Sequence, residues 1–348
     1  MFGYAGERTL QTIGSKRILN MIHSALPKVA IIGCGGTIST IAESELDYVN
    51  YVDTGRKVGV EEMLKRVPVV TRIADLQVIN LPSVSSSAIG PSRWIRLRDL
   101  CRKLAAQNDL SGIVILHGTG TLEETAFFLH LTLTLDVPVV LVGAQRPLGT
   151  VSSDAPANLI GAVTTATVSK LHGVFVVMNG EIHSARHVQK SDTYSLAAFQ
   201  SPGYGPVGRL TNDGPIISGQ IVSKVRFGAW RGTEFPRVDV IPSYGGADDV
   251  MINACIAAGA RGLISAGFAP GLSTPVQTMA LEQASAAGIV VVQGSRTYRG
   301  EIVERGRFSE NGFIAASDLS PWKARVLLSI ALANRLSLRE IRSAFNDA

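Results

Sequence analysis

The sequence predicts an α/β protein of two doubly wound domains, a larger N-terminal one and a smaller C-terminal one. Three observations carry that prediction. Short apolar runs alternate with helical patterns from residue 29 onward. A stretch crowded with Gly and Pro then interrupts the rhythm between residues 202 and 240. Beyond it the same alternation resumes. Strand–helix alternation of this kind builds parallel sheets covered by helices.

The elements follow in order. Residues 1–27 carry Glu7, Arg8, Lys16 and Arg17 and lack the unbroken apolar region of a signal peptide. They read as an extension attached to the first domain. VAIIG (29–33), GIVILHG (112–118), VPVVLVGA (137–144) and GVFVVMNG (173–180) are apolar runs that give way to loop residues. Such runs are strands buried on both faces of a parallel sheet. Helical patterns lie at 60–66, 93–106, 121–135 and 156–170, which assigns 28–212 to the N-terminal domain. Gly and Pro residues from Pro202 to Pro215 mark the junction, with a linker over 213–236. The C-terminal domain, 237–348, has strands at 238–244, 262–268 and 288–295 and helices near 249–259, 275–287 and 321–334.

Composition narrows the function. Apolar residues make up 46% and charged residues 18% of the sequence, the balance of a soluble globular protein. The formal net charge of +5 is scattered rather than clustered, which argues against nucleic acid as a partner. No apolar run is long enough to span a bilayer, so no membrane partner is expected. Cys34, Cys101 and Cys255 are odd in number and lack metal-type spacing. They point to a reducing compartment, and the cytoplasm is the expected location.

Ligands of open parallel sheets sit beyond the carboxyl ends of the strands. The first strand runs into AIIGCGGTIST (30–40), a glycine turn that displays Thr37, Ser39 and Thr40. The later strands deliver His117 to Thr121, then Gln145, Arg146 and Pro147 followed by Ser152 to Asp154, then Glu181, His183, Arg186 and Lys190. A threonine hydroxyl is a weak nucleophile until a base takes its proton, so hydroxyls and a lysine on one sheet edge suggest nucleophile activation. A dinucleotide-binding turn fits less well, because the third glycine and an acidic strand end are out of place. Walker, GxSxG and HExxH patterns are absent.

Thr121 with Glu124 three residues on has the pattern of a capping box, which gives Glu123 and Glu124 a structural role. Thr119 precedes the cap and is free to face the crevice. His117 reads as a structural hydrogen-bonding group, and Arg146 and Asp154 as organisers of the crevice floor. His183 and His187 lie four apart near Glu181, but the segment up to Lys190 reads as loop and offers no third ligand. Neither metal nor cofactor is expected.

Taken together, these segments resemble the bacterial-type asparaginase family. GGTIS after the first strand looks like its first signature. LHGTGTLEETAFFL, followed by PVVLVGAQRP and SSDAPANL, is similar to its second signature and what comes after it. GVFVVMNGEIHSARHVQKSDTY, FQSPGYGPVG, GLISAGF, VVVQGSR and WKARVLLSIAL keep pace, so the resemblance covers nearly all of the sequence beyond the extension. It implies an asparaginase-like fold, hydrolysis of a small amide through an acyl-enzyme, and a homodimer or homotetramer whose subunits complete one another's sites. By the same resemblance Thr37 is the nucleophile, Thr119 and Lys190 are the second threonine and its lysine, and Ser86 contacts the substrate carboxylate. The family's tyrosine falls on Tyr51, with Tyr48 as the alternative, in LDYVNYVDTGR. Gly36 and Gly118 let the substrate approach the backbone, whose N–H groups stabilise an oxyanion.

The departures are as specific. Where the family reads HGTDT this sequence reads HGTGT, so Gly120 stands where an aspartate binds the substrate's α-ammonium and leaves spare volume there. Ser87 replaces a glutamine. A substrate-contacting asparagine is replaced near Pro270 to Leu272, and an acidic residue from the neighbouring subunit has no counterpart around Arg305 to Phe308. The expected activity is hydrolysis of a carboxamide with specificity moved away from a free α-amino group. Ordinary L-asparaginase activity and a non-catalytic ligand-binding homologue are the alternatives.

Overall fold

The computed structural model describes residues 25–219, 225–228 and 230–348; the N-terminal extension up to residue 24 lies outside the described residues. The first unit contains β1 (Lys28–Gly33), β2 (Thr40–Ile41), β3 (Arg56–Lys57), β4 (Asp75–Asn80), β5 (Leu110–Leu116) and β6 (Pro138–Val142). It continues with β7 (Gly173–Met178), β8 (Glu181–Ser184), β9 (Gln189–Lys190), β10 (Phe199–Gln200), β11 (Gly208–Thr211) and β12 (Gly214–Ile217). Its helices are α1 (Tyr51–Thr54), α2 (Val60–Arg66), α3 (Pro91–Ala105), α4 (Leu122–Thr132) and α5 (Ala155–Ala166).

The eight-stranded sheet has the order β12-β11-β8-β7-β6-β5-β1-β4. Its strands from β4 to β7 are parallel, and β8, β11 and β12 add antiparallel. Side chains of β5 alternate between faces. Ile113 and Ile115 join a core with Trp94, Phe127 and Phe128, while Val114 and Leu116 join a second core with Val140 and Leu159. Both faces are therefore covered, which is why the parallel strands read as unbroken apolar runs.

Strand order fixes the site. After β1 the backbone moves to β4 on one side, then crosses to β5 on the other side of β1. The connections following β1 and β5 thus part in opposite directions and open a crevice at their carboxyl ends. The loops that leave there begin at Cys34 and His117.

Several elements differ from the sequence expectation. β4, DLQVIN, was hidden because Asp75, Gln77 and Asn80 break its apolar run; it is a half-buried edge strand. The stretch before Lys190, expected as loop, forms strand β8, with Val176 paired to His183. The hairpin of β11 and β12 extends the first sheet to Ile217, inside the stretch expected as linker.

The second unit has four parallel strands in the order β13 (Val238–Pro242), β14 (Gly262–Gly267), β15 (Val290–Ser295) and β16 (Ile314–Ala315). Helices α6 (Val250–Ala257), α7 (Pro275–Ala286) and α8 (Gly306–Glu310) precede α9 (Pro321–Ala333) and α10 (Leu338–Asp347). Ile252, Leu281 and Phe308 pack with Leu263 and Val291 in one core, whereas Leu327, Leu328 and Phe345 pack with Ile264 and Val292 in the core shared with the first unit.

Two features join the units. Helix α4 is buried on nearly every face, which explains its sequence LEETAFFLHLT, with no polar side, because α9 packs against it. Below it lies a polar latch. Arg186 pairs with Asp318, and Tyr204 donates to the same carboxylate at 2.7 Å. Lys323, fully buried, donates to the carbonyls of Arg186 at 2.9 Å and Val188 at 2.5 Å. Removing one partner of a buried pair strands the other, at a cost of about 3–5 kcal/mol.

Close packing gives a direct test of the sheet. A Cβ added at Gly112 in β5 would lie 2.3 Å from the Ala166 carbonyl oxygen at the end of α5. Gly112→Ala is expected to cost about 1–3 kcal/mol through overpacking. Thermal or urea unfolding should show a lowered midpoint, and an unchanged one would contradict the strand–helix spacing described.

Candidate active site

The glycine turn after β1 and the loop after β5 touch backbone to backbone. A Cβ at Gly36 (φ +91°) would fall 2.3 Å from Gly118 Cα and 2.5 Å from Gly118 N. A Cβ at Gly118 would fall 2.6 Å from Ser86 Cβ, so the loop after β4 closes on the same point. Hydrogen bonds hold the three loops together. Cys34 N donates to Leu116 O at 3.0 Å, Val84 N to Cys34 O at 3.3 Å, and Thr121 Oγ1 to Ser86 O at 2.8 Å.

Thr37 follows Gly36 at the start of a short 3₁₀ turn, Thr37–Ser39. Its Oγ1 lies 2.9 Å from the Tyr51 hydroxyl. Tyr48 points elsewhere: its hydroxyl is 3.0 Å from Ser152 Oγ, and the Arg146 guanidinium lies over its ring. Of the two candidate tyrosines, Tyr51 therefore meets Thr37. Burial raises the Tyr51 pKa above the usual phenol value, so its hydroxyl keeps its proton at neutral pH. Cys34, three residues before Thr37, has its thiol pushed up to about 12 by burial and is no nucleophile.

A second hydroxyl pair stands beside the first. Lys190 Nζ donates to Thr119 Oγ1 at 2.8 Å and, more weakly, to Gln145 Oε1 at 3.4 Å. Burial lowers the Lys190 pKa, partly opposed by Asp192 and Glu123, so a larger share is neutral than in an exposed lysine. Strand β9 brings Lys190 into register through its pairing with Phe199. The Lys190 backbone N–H is held by the Glu123 carboxylate at 2.5 Å.

Glu123 and Gln145 extend the site beyond the residues expected. Local pattern places Glu123 at a helix start, whereas its contact with Lys190 depends on a strand that pattern reading misses. Gln145 stood in the strand-end inventory without an assigned role. Its Nε2 is buried with no partner among the described residues, leaving an amide donor beside Lys190 and Thr119.

The expected capping box does not form. The Thr121 side chain makes no cap bond because its hydroxyl is committed to Ser86 O. Glu124 instead faces Arg325 of the second unit at 3.9 Å, and burial pushes its pKa up to about 7. His117 is fully buried, with Nε2 3.0 Å from Thr125 Oγ1, which also accepts from Trp94 Nε1. Asp154 organises the neighbouring turn by accepting from Gln145 N and Arg146 N and from the Asn158 side chain. His183 lies 3.0 Å from Ser201 Oγ, while His187 stacks on Tyr204; the two histidines have separate partners.

Position 120 is not simply vacant. Glycine is exposed there, and an added Cβ would meet the Ser86 hydroxyl at 2.7 Å and, among the described residues, nothing else but Ser86 within 4 Å. Part of the volume expected to be spare is thus occupied by Ser86. Ser87 is exposed, with its hydroxyl 3.0 Å from Ser85 Oγ rather than turned to either threonine.

A two-unit α/β protein whose sheet switch point carries two partnered threonines is the class that fold and site define. Residues 28–222 match the family model described as Asparaginase, N-terminal, and residues 237–345 match Glutaminase/Asparaginase C-terminal domain. The protein belongs to the asparaginase family. It is 36% identical over 333 residues to L-asparaginase 2 of Escherichia coli, covering 93% of this protein and 94% of that one. L-asparaginase 2 of Bacillus subtilis is 34% identical over 328 residues, covering 92% and 87%. The crystal structure of a probable cytoplasmic L-asparaginase from Campylobacter jejuni superposes with a TM-score of 0.88 at 33% identity, covering 92% of this protein and all of that one.

Geometry and charge state predict distinct outcomes for the two threonine pairs. Thr37→Ala is expected to abolish amide turnover with little change in unfolding midpoint. A lysine can take a proton only when neutral, so if Lys190 is the base, turnover should climb as pH rises through its lowered pKa. Lys190→Met should lower kcat by about 10²–10⁴ and flatten that limb of the pH–rate profile. Near-wild-type turnover in Thr37→Ala would overturn the role of that hydroxyl.

Proposed function

We propose that this protein hydrolyses a small carboxamide through Thr37 and an acyl-enzyme, and that its preferred substrate lacks a free α-ammonium. The carrying observation for the chemistry is the pair of hydroxyl contacts, Thr37 with Tyr51 and Thr119 with Lys190. Family membership supports amide C–N hydrolysis, since relatives bear the names L-asparaginase and glutaminase-asparaginase.

In this reading Thr37 Oγ1 attacks the amide carbonyl. Its proton passes to Tyr51, whose own proton goes to the departing nitrogen, and ammonia leaves. N–H groups of the glycine turns stabilise the oxyanion. A water molecule then attacks the Thr37 ester. Its proton passes through the Thr119 hydroxyl to the neutral Lys190 amine. As the ester bond breaks, Tyr51 gives a proton to the departing Thr37 Oγ1 and recovers one from the newly formed acid, which leaves as the carboxylate, and Lys190 releases its extra proton to solvent.

Specificity rests on Gly120. An ammonium placed beside it finds no carboxylate at that position, whereas an uncharged or acylated α-nitrogen needs none. Succinamate-like acids and N-acylated asparagines suit this site better than free L-asparagine. Ser86 is left to hold the substrate carboxylate.

The working protein is proposed to be a cytoplasmic homodimer or homotetramer. Support for assembly is the apolar surface of the second unit, where Val250 and Met251 of α6 and Val276 and Met279 of the adjoining α7 are exposed. The Campylobacter jejuni protein is described as cytoplasmic. Among the described residues no helix is long and apolar enough to cross a membrane.

Two measurements check these readings. In steady-state assays of ammonia release, N-acetyl-L-asparagine or succinamate should exceed L-asparagine in kcat/KM. Gly120→Asp should move the ratio back toward L-asparagine by about tenfold, or 1.4 kcal/mol. Turning Ser86 aside costs both substrates alike and cancels in that ratio. L-Asparagine as the best substrate by tenfold would overturn the specificity. Light scattering at micromolar concentration should give the mass of a dimer or tetramer, and a monomer would sink the assembly.

A further inference from the structure

The turn that follows β6 bears on the second hydroxyl pair at two positions. A Cβ at Gly143 would stand 2.9 Å from Thr119 Cγ2, so glycine gives the Thr119 methyl its seat. With the methyl seated there, the Thr119 hydroxyl is turned to Lys190 Nζ at 2.8 Å. Gln145 reaches the same amine, and its Oε1 accepts from Nζ at 3.4 Å.

Gln145 is held from behind. Its N–H donates to both Asp154 oxygens, at 3.1 Å and 3.0 Å. Asn158 Nδ2 ties that carboxylate to the Gly143 carbonyl with bonds of 2.9 Å and 3.1 Å. The Gln145 amide nitrogen is buried and, among the described residues, has no partner. Only the oxygen is engaged, and a turned amide would set its NH₂ against the Lys190 donors.

A neutral lysine amine carries one lone pair and two N–H bonds on a freely turning carbon stem. It takes a proton from Thr119 only in the turn that points the lone pair at Oγ1. Among the described residues, Thr119 and Gln145 are the hydrogen-bond partners of Nζ. An N–H fixed on Gln145 Oε1 therefore leaves the lone pair for Thr119. Charged groups do not replace that contact. Glu123, Glu124 and Asp192 line a pocket with Lys190, but each carboxylate is engaged elsewhere. Glu123 holds the Lys190 backbone, Glu124 faces Arg325, and Asp192 accepts from the N–H groups of Tyr194 and Ser195.

We propose that Gln145 is a positioning residue for the base: by accepting an N–H of Lys190 it aims the amine's lone pair at the Thr119 hydroxyl. The proposal rests on the reading of Lys190 as the base. In the step concerned, the Thr119 O–H proton moves to the Lys190 lone pair while Thr119 takes one from the attacking water. The amine becomes an ammonium, and Gln145 neither gives nor takes a proton. The same contact steadies that ammonium. It therefore sets both the direction of the transfer and the pH at which the amine is neutral.

The test measures kcat and KM against pH for the full-length protein and for Gln145→Met and Gln145→Glu. The substrate is the fastest of N-acetyl-L-asparagine, succinamate and L-asparagine. Methionine keeps the length and removes the acceptor, whereas glutamate keeps the acceptor and adds charge. Gln145→Met should lower the plateau kcat by about tenfold, part of what a general base contributes, with KM within about twofold. Its acidic limb should move to lower pH, because the ammonium has lost an acceptor. Gln145→Glu should move the limb to higher pH and, above it, give a kcat higher than that of the methionine variant. A merely structural loss would lower kcat without moving the limb in opposite directions. Wild-type kcat with an unmoved limb in Gln145→Met would overturn the proposal and leave Lys190 as the base. So would limbs that stay in place in both variants. An acidic limb kept in Lys190→Met, or no turnover of any of the three amides, would remove the base and this proposal together.

Discussion

Gly36 lies so close to Gly118 that a methyl group at position 36 would strike the Gly118 backbone, Ser86 closes off position 118 from its other side, and the rest of the site is arranged around that contact. It forms where the connections after β1 and β5 diverge, the one place on a parallel sheet where two adjacent strand ends are not crossed by their own helices. Each glycine is followed at once by a threonine. Backbone contact therefore brings two hydroxyls to the same crevice without any side group holding them together. Partners then arrive from distant segments, Tyr51 from the stretch after β2 and Lys190 from the strand pair beyond β8.

Lys190 depends on more remote support. Its backbone is held by Glu123 in the first turn of α4, and the residues leading to it are held by Lys323 from α9. Helix α4 is in turn wedged between the first sheet and the second unit. The geometry of one amine thus rests on the packing of two units. Pocket charge follows from the same arrangement, since Glu123 and Glu124 are consecutive residues of that helix, one turned to Lys190 and the other to Arg325.

Much of this was legible from the sequence because the signals were local. Apolar runs marked β1, β5, β6 and β7, whose side chains are buried on both faces. Glycine turns and hydroxyls marked the loops at their ends. What could not be read was set by tertiary partners. β4 hid behind three polar residues tolerated at a sheet edge. Thr121 had the spacing of a cap, but the carbonyl of Ser86, 35 positions away in sequence, took its hydroxyl. Tyr51 was the first choice in the sequence with Tyr48, three residues before it, as the alternative, and the two are told apart by the positions of Thr37 and Ser152. At Gly120 a single-letter departure was visible, yet the turn of Ser86 into that space was not.

The latch of Asp318 and Lys323 also has a meaning in time. Both residues come late in the sequence, while the sheet strands and loops they support come early. On the ribosome, β1 to β7 can pair before Asp318 has been made, and the carbonyls of Arg186 and Val188 then have only water to bind. A nascent polypeptide in that state lacks the side chain that clamps the backbone leading to Lys190. The anchoring of Lys190 is therefore complete only once α9 has been made, because the helix that grips its backbone, α4, shares a core with Leu327 and Leu328.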